Sequence, residues 1–422
     1  MNLEKSQFSD KNVLLKRLCL TLGLLIFIRI GTFLPIPGIN HGHLAFYIQR
    51  HSITKSLVST FSGNDIFVIG LFTLNIFPYI NASILMQLLI SIIPKLAKLQ
   101  KESGSEGRRT ITRITRVITL GWAFIQSTSI AFYLKRALFD WNLFLAFEII
   151  LWLTTGAMIV LWLSELITEY GLGNGASLLI YTNIIASLPN LGKKLIQQSD
   201  PNYDLTLCFS VGLLLFIAIY GIVLLQEGVR IVPLISSKQL TQVTPVFSEL
   251  PKNNYIPLRF NQAGVMPIIL TTAVLVIPNY ISSLGLLPII TLPYFMESSK
   301  IIYWISYFIL IILFSSFYSN IILNPKDISS ELQKMSVSIP GIRPGIATTY
   351  YLKQVMKRVT FLGAIMLAIL ATFPNIIEFI FKVSSFNGLG TTSLLILVGV
   401  ILDLSREIRS ILLSNIYNDM FN

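Results

Sequence analysis

The feature that most constrains this chain is a series of apolar runs, each long enough to form one helix across a membrane. A helix needs about 20 apolar residues to cross the hydrocarbon core of a bilayer. The ten runs cover residues 13–34, 70–93, 114–134, 143–167, 176–195, 205–226, 264–284, 302–323, 358–380 and 391–412. The sequence therefore predicts an all-α integral membrane protein with ten transmembrane helices.

Two of these predicted helices carry polar residues that a simple membrane anchor would not need. The second contains Pro78, Asn81 and Ser83, and the fifth contains Thr182 and Asn183. Polar groups are tolerated at membrane depth where they face a protein interior or a water-filled path. Only 12% of the 422 residues are charged, whereas a soluble domain has about 25%. We therefore expect a helical bundle in lipid whose polar residues face a protein interior or a water-filled path.

The distribution of basic residues predicts the orientation of the chain. With the N-terminus inside, 23 of the 32 Lys and Arg residues lie in inside segments and 8 lie in outside segments. Inside loops of membrane proteins are enriched in Lys and Arg, so this asymmetry supports the helix count and an N-terminus on the stromal or cytoplasmic side. The net charge of +12 then follows from loop orientation, and we expect no direct binding of nucleic acid.

Residues that could carry covalent or metal chemistry are few and scattered. Cys19 and Cys208 lie inside apolar runs, where cysteine serves as a small packing residue. His41 and His43 have no third metal ligand near them in the sequence. We expect no catalytic residue, no metal and no cofactor, and the chain is predicted not to be an enzyme. No acidic residue lies in the middle of a span beside an obvious partner, which argues against ion-coupled transport.

Seven short motifs, rich in Gly, Pro and polar residues, are spread from the first predicted helix to the last. They are Arg29–Gly38, Phe77–Ser83 with Gln87, Gly104–Arg109, Gly171–Ser177, Asn261–Pro267, Asn324–Asp327 with Ile339–Gly345, and Gly390–Ile396. In sequence and order these motifs resemble those of the SecY family, the channel subunits of the Sec protein translocase. The resemblance covers nearly the whole chain.

The resemblance implies two pseudo-symmetric halves of five helices around an hourglass-shaped pore. The halves would be residues 1–200, with a plug near 56–66, and residues 201–422, with inside loops near 227–263 and 324–357. Six positions of the family's apolar ring fall on isoleucine: Ile80, Ile84, Ile180, Ile184, Ile269 and Ile396. A collar of branched aliphatic side chains excludes water and ions by dewetting. Any one of these isoleucines, taken alone, could equally face lipid or pack against another helix.

The resemblance also implies a lateral gate and a docking surface. Gln87 and Gln126 are placed along the gate, although polar residues also hold membrane helices together without any gate. Arg343 lies in a Pro- and Gly-rich turn that would present its guanidinium to a partner's carboxylates. Arg108 and Arg109 lie in a densely basic inside loop. The alternative for Arg343 is capping of a helix end or contact with lipid phosphate, and the alternative for Arg108 and Arg109 is a charge that serves orientation only.

The function implied by the resemblance is a protein-conducting channel. It would pass signal peptides and unfolded preproteins across a membrane and release apolar segments sideways into membrane lipid. The expected partners are a SecE-type subunit, with or without a SecG-type subunit, and a SecA motor ATPase, a ribosome or both. The loop 227–263 lacks the dense basic run common in the family, so Arg343, Arg108 and Arg109 are the expected docking residues.

Two other functions stay open from the sequence. A secondary transporter with inverted repeats would also use paired halves and broken helices, and a non-conducting assembly platform would need no ring of isoleucines. The composition, rich in Ile, Asn and Lys, indicates an AT-rich genome; we favour a plastid thylakoid membrane, and a bacterial inner membrane fits the same facts. No transit peptide is recognised, which fits either compartment.

Overall fold

A computed structural model describes most of the chain as helix, with four short strands. It describes residues 2–37, 70–102, 104–134, 142–198, 204–236, 255–262, 264–268, 270–271, 274, 300–322, 324–381 and 391–421. The predicted plug near 56–66, the ring residue Ile269 and residues 237–254 of the first long inside loop lie outside the described residues.

The helices and strands with defined bounds follow one another along the chain. They are α1 (Asn2–Phe33), α2 (Phe77–Ile92), α3 (Pro94–Glu102), α4 (Gly104–Leu134), α5 (Leu143–Tyr170), α6 (Gly175–Gln198), α7 (Asp204–Glu227), β1 (Val229–Pro233), β2 (Ile235–Ser236), β3 (Tyr255–Arg259), α8 (Lys300–Ile322), α9 (Pro325–Lys334), β4 (Val337–Ser338), α10 (Ile346–Phe381) and α11 (Thr391–Phe421).

The chain divides into two compact units. The first contains Met1–Gln198, Asn387–Leu389 and Val400–Asn422, and the second contains Ser199–Phe386 and Gly390–Gly399. Helices α1 to α6 therefore belong to the first unit, and α7 to α10 with all four strands belong to the second.

Several helices differ in extent from the predicted spans. The prediction began the second span at residue 70, but residues 71–76 form turns and α2 begins at Phe77. Asn75 there has a φ of +46°, which is not a helical conformation. Pro78 lies in the first turn of α2, where a backbone N–H would have no partner within the helix, so its absence costs nothing. Helices α4 and α10 begin well before the predicted spans, because a helix can continue past the membrane surface.

The first unit is organised around α4, which packs against both α2 and α5. The apolar core of this part includes Leu74, Ala123, Ile149, Leu153 and Ala157. At Gly156 a Cβ atom would lie 2.0 Å from the carbonyl oxygen of Leu71. This glycine therefore allows α5 to lie directly against the turn that precedes α2, in the way small residues let backbones approach in membrane bundles.

In the second unit, the two predicted inside loops fold together. Strand β1 pairs with β3 in an antiparallel register that places Val229 opposite Arg259, and β2 pairs with β4. Both pairs connect to a common core, whose buried members are Val232, Leu258, Leu332, Ile339, Leu352 and Met356. The ends of the segments 227–263 and 324–357 thus form one small subdomain, the loop subdomain, on the first turns of α10.

The outward faces of the long helices are apolar. Large hydrophobic side chains stand exposed along α1, α4, α5, α7, α8 and α10, among them Phe27, Phe124, Phe144, Phe216 and Phe361. Soluble monomers rarely expose apolar patches of more than a few hundred Å², so these faces suit a lipid environment.

Two helices in the described part of the chain are long and apolar enough to cross a membrane, judged by length and composition. They are Leu143–Tyr170 and Ile346–Phe373, and four shorter apolar helical stretches accompany them. Core helices of soluble proteins can meet the same test, so the number of ten crossings stays a prediction.

Candidate pore ring, gate and docking surface

The first two predicted ring residues lie one helical turn apart on α2. Ile80 is 8% exposed and Ile84 is 6% exposed, so both side chains are buried in protein. The hydroxyl of Ser83, between them in sequence, donates a hydrogen bond to the carbonyl oxygen of Ile80 at 2.8 Å. This local bond satisfies the polar side chain, as is usual for serine within a helix.

The second predicted ring pair lies on α6. Ile184 is 9% exposed and Ile180 is half-buried. The start of α6 is fixed by two hydrogen bonds: the backbone N–H of Gly175 donates to Thr168 Oγ1 at 2.9 Å, and that of Ala176 donates to Asn174 Oδ1 at 3.0 Å. The glycine-rich motif at residues 171–175 is therefore a capped turn between α5 and α6, which sets the positions of both isoleucines.

The ring as a whole is not brought together by the described residues. Four of its members lie on α2 and α6 of the first unit, Ile396 is half-buried on α11, and Ile269 lies outside the described part. The arrangement of all six around one pore stays a prediction.

The two predicted gate glutamines lie on helices that pack against each other. Gln87 is exposed near the end of α2, and Gln126 lies on α4. The Oε1 atom of Gln126 is buried and accepts no hydrogen bond from the residues that the structure describes. A buried acceptor left unpaired costs about 1–3 kcal/mol.

Arg343 is exposed on a turn that three hydrogen bonds hold in place. Ser329 Oγ of α9 donates to the carbonyl oxygen of Gly345 at 2.9 Å, Thr348 Oγ1 of α10 donates to that of Arg343 at 2.9 Å, and the N–H of Ile342 donates within the turn. Gly345 has a φ of +108°, a conformation that only glycine adopts readily. The guanidinium thus projects from a rigid support.

Arg108 and Arg109 lie on a helix and not in a loop. Both are exposed in the first turns of α4, and the predicted basic loop 95–113 is in fact α3 followed by the start of α4. Since α3 packs on α4 and carries exposed Lys95 and Lys98, the basic residues line one helical hairpin. The prediction of a loop was wrong because polar sequence was taken as the end of helix, whereas Lys, Arg, Glu and Gln are good helix formers.

Three polar contacts between distant residues were not predicted from the sequence. Arg116 Nε of α4 donates to Glu165 Oε1 of α5 at 2.8 Å. In the second unit, Ser319 Oγ donates to Gln262 Oε1 at 2.9 Å and lies 2.8 Å from Thr360 Oγ1. The polar residues themselves were visible in the sequence, but their pairing over 41 to 57 residues gave no local signal.

Metal ligands do not come together in the described residues. No three His, Cys, Asp or Glu side chains there are close enough to hold an ion. His41 and His43 lie outside those residues, so the expectation of no metal and no cofactor stays a prediction.

Comparison with known proteins identifies the family. The SecY family model matches residues 70–405. The protein translocase subunit SecY of Trieres chinensis is 69% identical over 423 residues, covering 99% of this chain and all of that protein. Algal and cyanobacterial proteins of the same name, from Guillardia theta and Synechocystis, are 45% and 41% identical.

Solved channel structures share the fold. A SecY structure whose plug domain stabilises the closed channel matches with a TM-score of 0.65 at 18% identity, covering 94% of this chain and 92% of that one. Sec61 in a canine ribosome–channel complex matches with a TM-score of 0.60 over 94% and 93% of the two chains. With a family model over residues 70–405 and relatives matched along almost their full length, the chain belongs to the SecY family.

Proposed function

We propose that this chain is the membrane channel through which a Sec translocase passes unfolded preproteins, with the six isoleucines as its ring. Membership in the SecY family makes it an integral membrane protein of a protein-conducting channel, and the secondary-transporter alternative finds no support. The observation that carries the ring is the burial of Ile80, Ile84 and Ile184 on two helices of one unit.

The ring works by excluding water and ions, and it makes or breaks no covalent bond. Branched aliphatic side chains at a constriction leave water no hydrogen-bond partner, so the pore stays dry and closed to ions. An unfolded chain can displace such side chains because only weak dispersion contacts hold them together. Apolar segments of the preprotein would leave sideways between helices, where Gln87 and Gln126 would lie along the seam.

The free energy of transport has to come from partners, since the proposed channel performs no chemistry. We assign docking of a SecA-type motor ATPase or a ribosome to Arg343 on its rigid turn, with Arg108 and Arg109 as a second basic surface. The match to a Sec61 channel in a ribosome complex supports the ribosome as one partner. A SecE-type subunit, with or without a SecG-type subunit, would brace the two halves.

The location proposed for the chain is a plastid thylakoid membrane, with the N-terminus in the stroma. Algal and cyanobacterial relatives support this compartment, and the loop charge supports the orientation. A bacterial inner membrane is the alternative.

Reconstitution tests the function directly. The full chain, with its small subunits, is placed in liposomes, and protection of an added preprotein from protease is measured with and without motor and ATP. We expect protection that requires this chain, the motor and ATP together. Equal protection in liposomes without the chain would refute the channel. Release of a small solute without preprotein movement would point back to a transporter.

A further inference from the structure

Arg29 lies on α1 at the border between the face that packs into the first unit and the face that stands open. On the packed side, Ile28 and Thr32 are buried. On the open side, Ile30 and Phe33 are exposed. Arg29 itself is half-buried, so its side chain has protein on one side and the surroundings of the unit on the other.

The guanidinium of Arg29 donates to no acceptor in the described part of the chain. Its Nη1 atom is buried there without a hydrogen-bond partner, and its Cζ atom lies 5.4 Å from the centroid of the Phe33 ring. Contact with a ring face attracts a cation but supplies no acceptor to its N–H groups in the plane of the guanidinium. A cation held partly out of water without a counter-charge is costly. Arg29 therefore has the capacity to bind an anion.

The open face of α1 beside Arg29 consists of large apolar side chains. They recur three or four residues apart, which places them on one side of the helix, and we call them the α1 stripe. They are Leu15, Leu18, Leu22, Ile26, Ile30 and Phe33, each between 37% and 60% exposed. At 1.5 Å per residue the stripe is about 27 Å long, and Arg29 lies beside its last turn. An apolar surface thus extends from the cation back along the helix.

A second membrane helix fits the α1 stripe less well than lipid does. Interfaces between membrane helices are enriched in Gly, Ala, Ser and Thr, which let two backbones approach closely, whereas all six side chains of the stripe are large. A partner helix would also have to carry a carboxylate into the membrane to pair with Arg29, which is costly. An anionic lipid carries its charge on a headgroup and presents acyl chains to the apolar residues.

We propose that Arg29 and the α1 stripe form a binding site for one anionic lipid. The guanidinium would donate two parallel hydrogen bonds to oxygens of the phosphate headgroup. Phe33, four residues after Arg29, draws the guanidinium toward the C-terminal end of α1. The headgroup therefore belongs at that end, and the acyl chains lie back along Ile30, Ile26 and Leu22. The site requires a membrane location and does not depend on the channel function.

Thermal melting of the full translocase complex in nanodiscs tests the site. One set of discs contains phosphatidylcholine, whose headgroup has no net charge, and the other contains added phosphatidylglycerol with the same acyl chains. The variant is Arg29→Met, which keeps an apolar stem and removes the charge and the donors. The matched control is Arg17→Met, because Arg17 is exposed on the same helix near its other end.

We expect phosphatidylglycerol to raise the melting temperatures of the parent and of Arg17→Met equally, and that of Arg29→Met by less. In phosphatidylcholine alone, Arg29→Met should melt no lower than the parent, because the change removes a partly buried cation without a counter-charge. An equal gain from phosphatidylglycerol in all three proteins would overturn the proposal, and so would loss of the gain in Arg17→Met. An equal drop for Arg29→Met in both kinds of disc would show that Arg29 bonds to protein, which would also overturn it.

Two further probes separate a lipid from a free anion. In native mass spectrometry of the complex with added phosphatidylglycerol, one lipid should bind about tenfold more weakly to Arg29→Met, as expected for lost hydrogen bonds to a charged group. Inorganic phosphate should stabilise the parent no more than it stabilises Arg29→Met. If phosphate stabilised the parent as well as phosphatidylglycerol does, the site would take a free anion and the lipid proposal would be wrong.

Discussion

The hydrogen bond from Ser329 to Gly345 should stiffen the turn that carries Arg343. Ser329 is only 4% exposed, and its Oγ donates to the Gly345 carbonyl oxygen at 2.9 Å. That oxygen also accepts a bond from the backbone N–H of Thr349 at 3.1 Å, so Ser329→Ala leaves it partly satisfied. We therefore place the cost near the usual net value of one hydrogen bond, about 1 kcal/mol.

A change of about 1 kcal/mol corresponds to roughly a fivefold change in a local opening equilibrium. Hydrogen exchange of the amides in residues 341–349, measured by mass spectrometry on the complex, reports that equilibrium. We expect about fivefold faster exchange in Ser329→Ala. Ser330→Ala is the control, because the Ser330 hydroxyl is exposed and donates to the Asp327 carbonyl oxygen within its own helix. Equal exchange in the two variants would refute the reasoning.

Two further predictions concern the first unit. Gly156→Ala should destabilise the complex by about 1–3 kcal/mol, measured as a lower melting temperature, because the new Cβ would lie 2.0 Å from the Leu71 carbonyl oxygen. The control Gly23→Ala, where a Cβ would have nothing within 4 Å, should leave the melting temperature unchanged. An equal drop for both variants would contradict the close packing at Gly156. Ile84→Asn should raise ion leakage through reconstituted channels because a polar side chain wets a dry constriction. Ile92→Asn, at a position 71% exposed on the same helix, should leave conductance unchanged, and leakage from both variants would reject the ring position.

The helical nature of the chain and several helix positions could be predicted from sequence, because each helix that crosses a membrane needs about 20 consecutive apolar residues. The predicted span 143–167 agrees closely with α5, Leu143–Tyr170, since apolar composition extends over the whole helix. Ile80 and Ile84 are four residues apart, so a helix places them on the same face. This could be predicted without knowing which residues pack against them.

The parts that could not be predicted depend on contacts between distant segments. Nothing local in residues 229–233 indicates a pairing with 255–259, or a core shared with Ile339 and Leu352. The start of α10 at Ile346 was missed for a different reason. A search for apolar runs stops at the membrane edge, whereas the helix continues for twelve residues before the predicted span.

In the proposed channel a moving preprotein passes the isoleucine ring. The most direct measurement places a cysteine at position 84 by Ile84→Cys, in a Cys19→Ala, Cys208→Ala background, and stalls a preprotein with a single cysteine midway through translocation. We predict a disulfide between the two cysteines that requires the motor and its nucleotide. If cysteines at all six ring positions formed no disulfide while the preprotein still reached the far side, the ring assignment would be wrong.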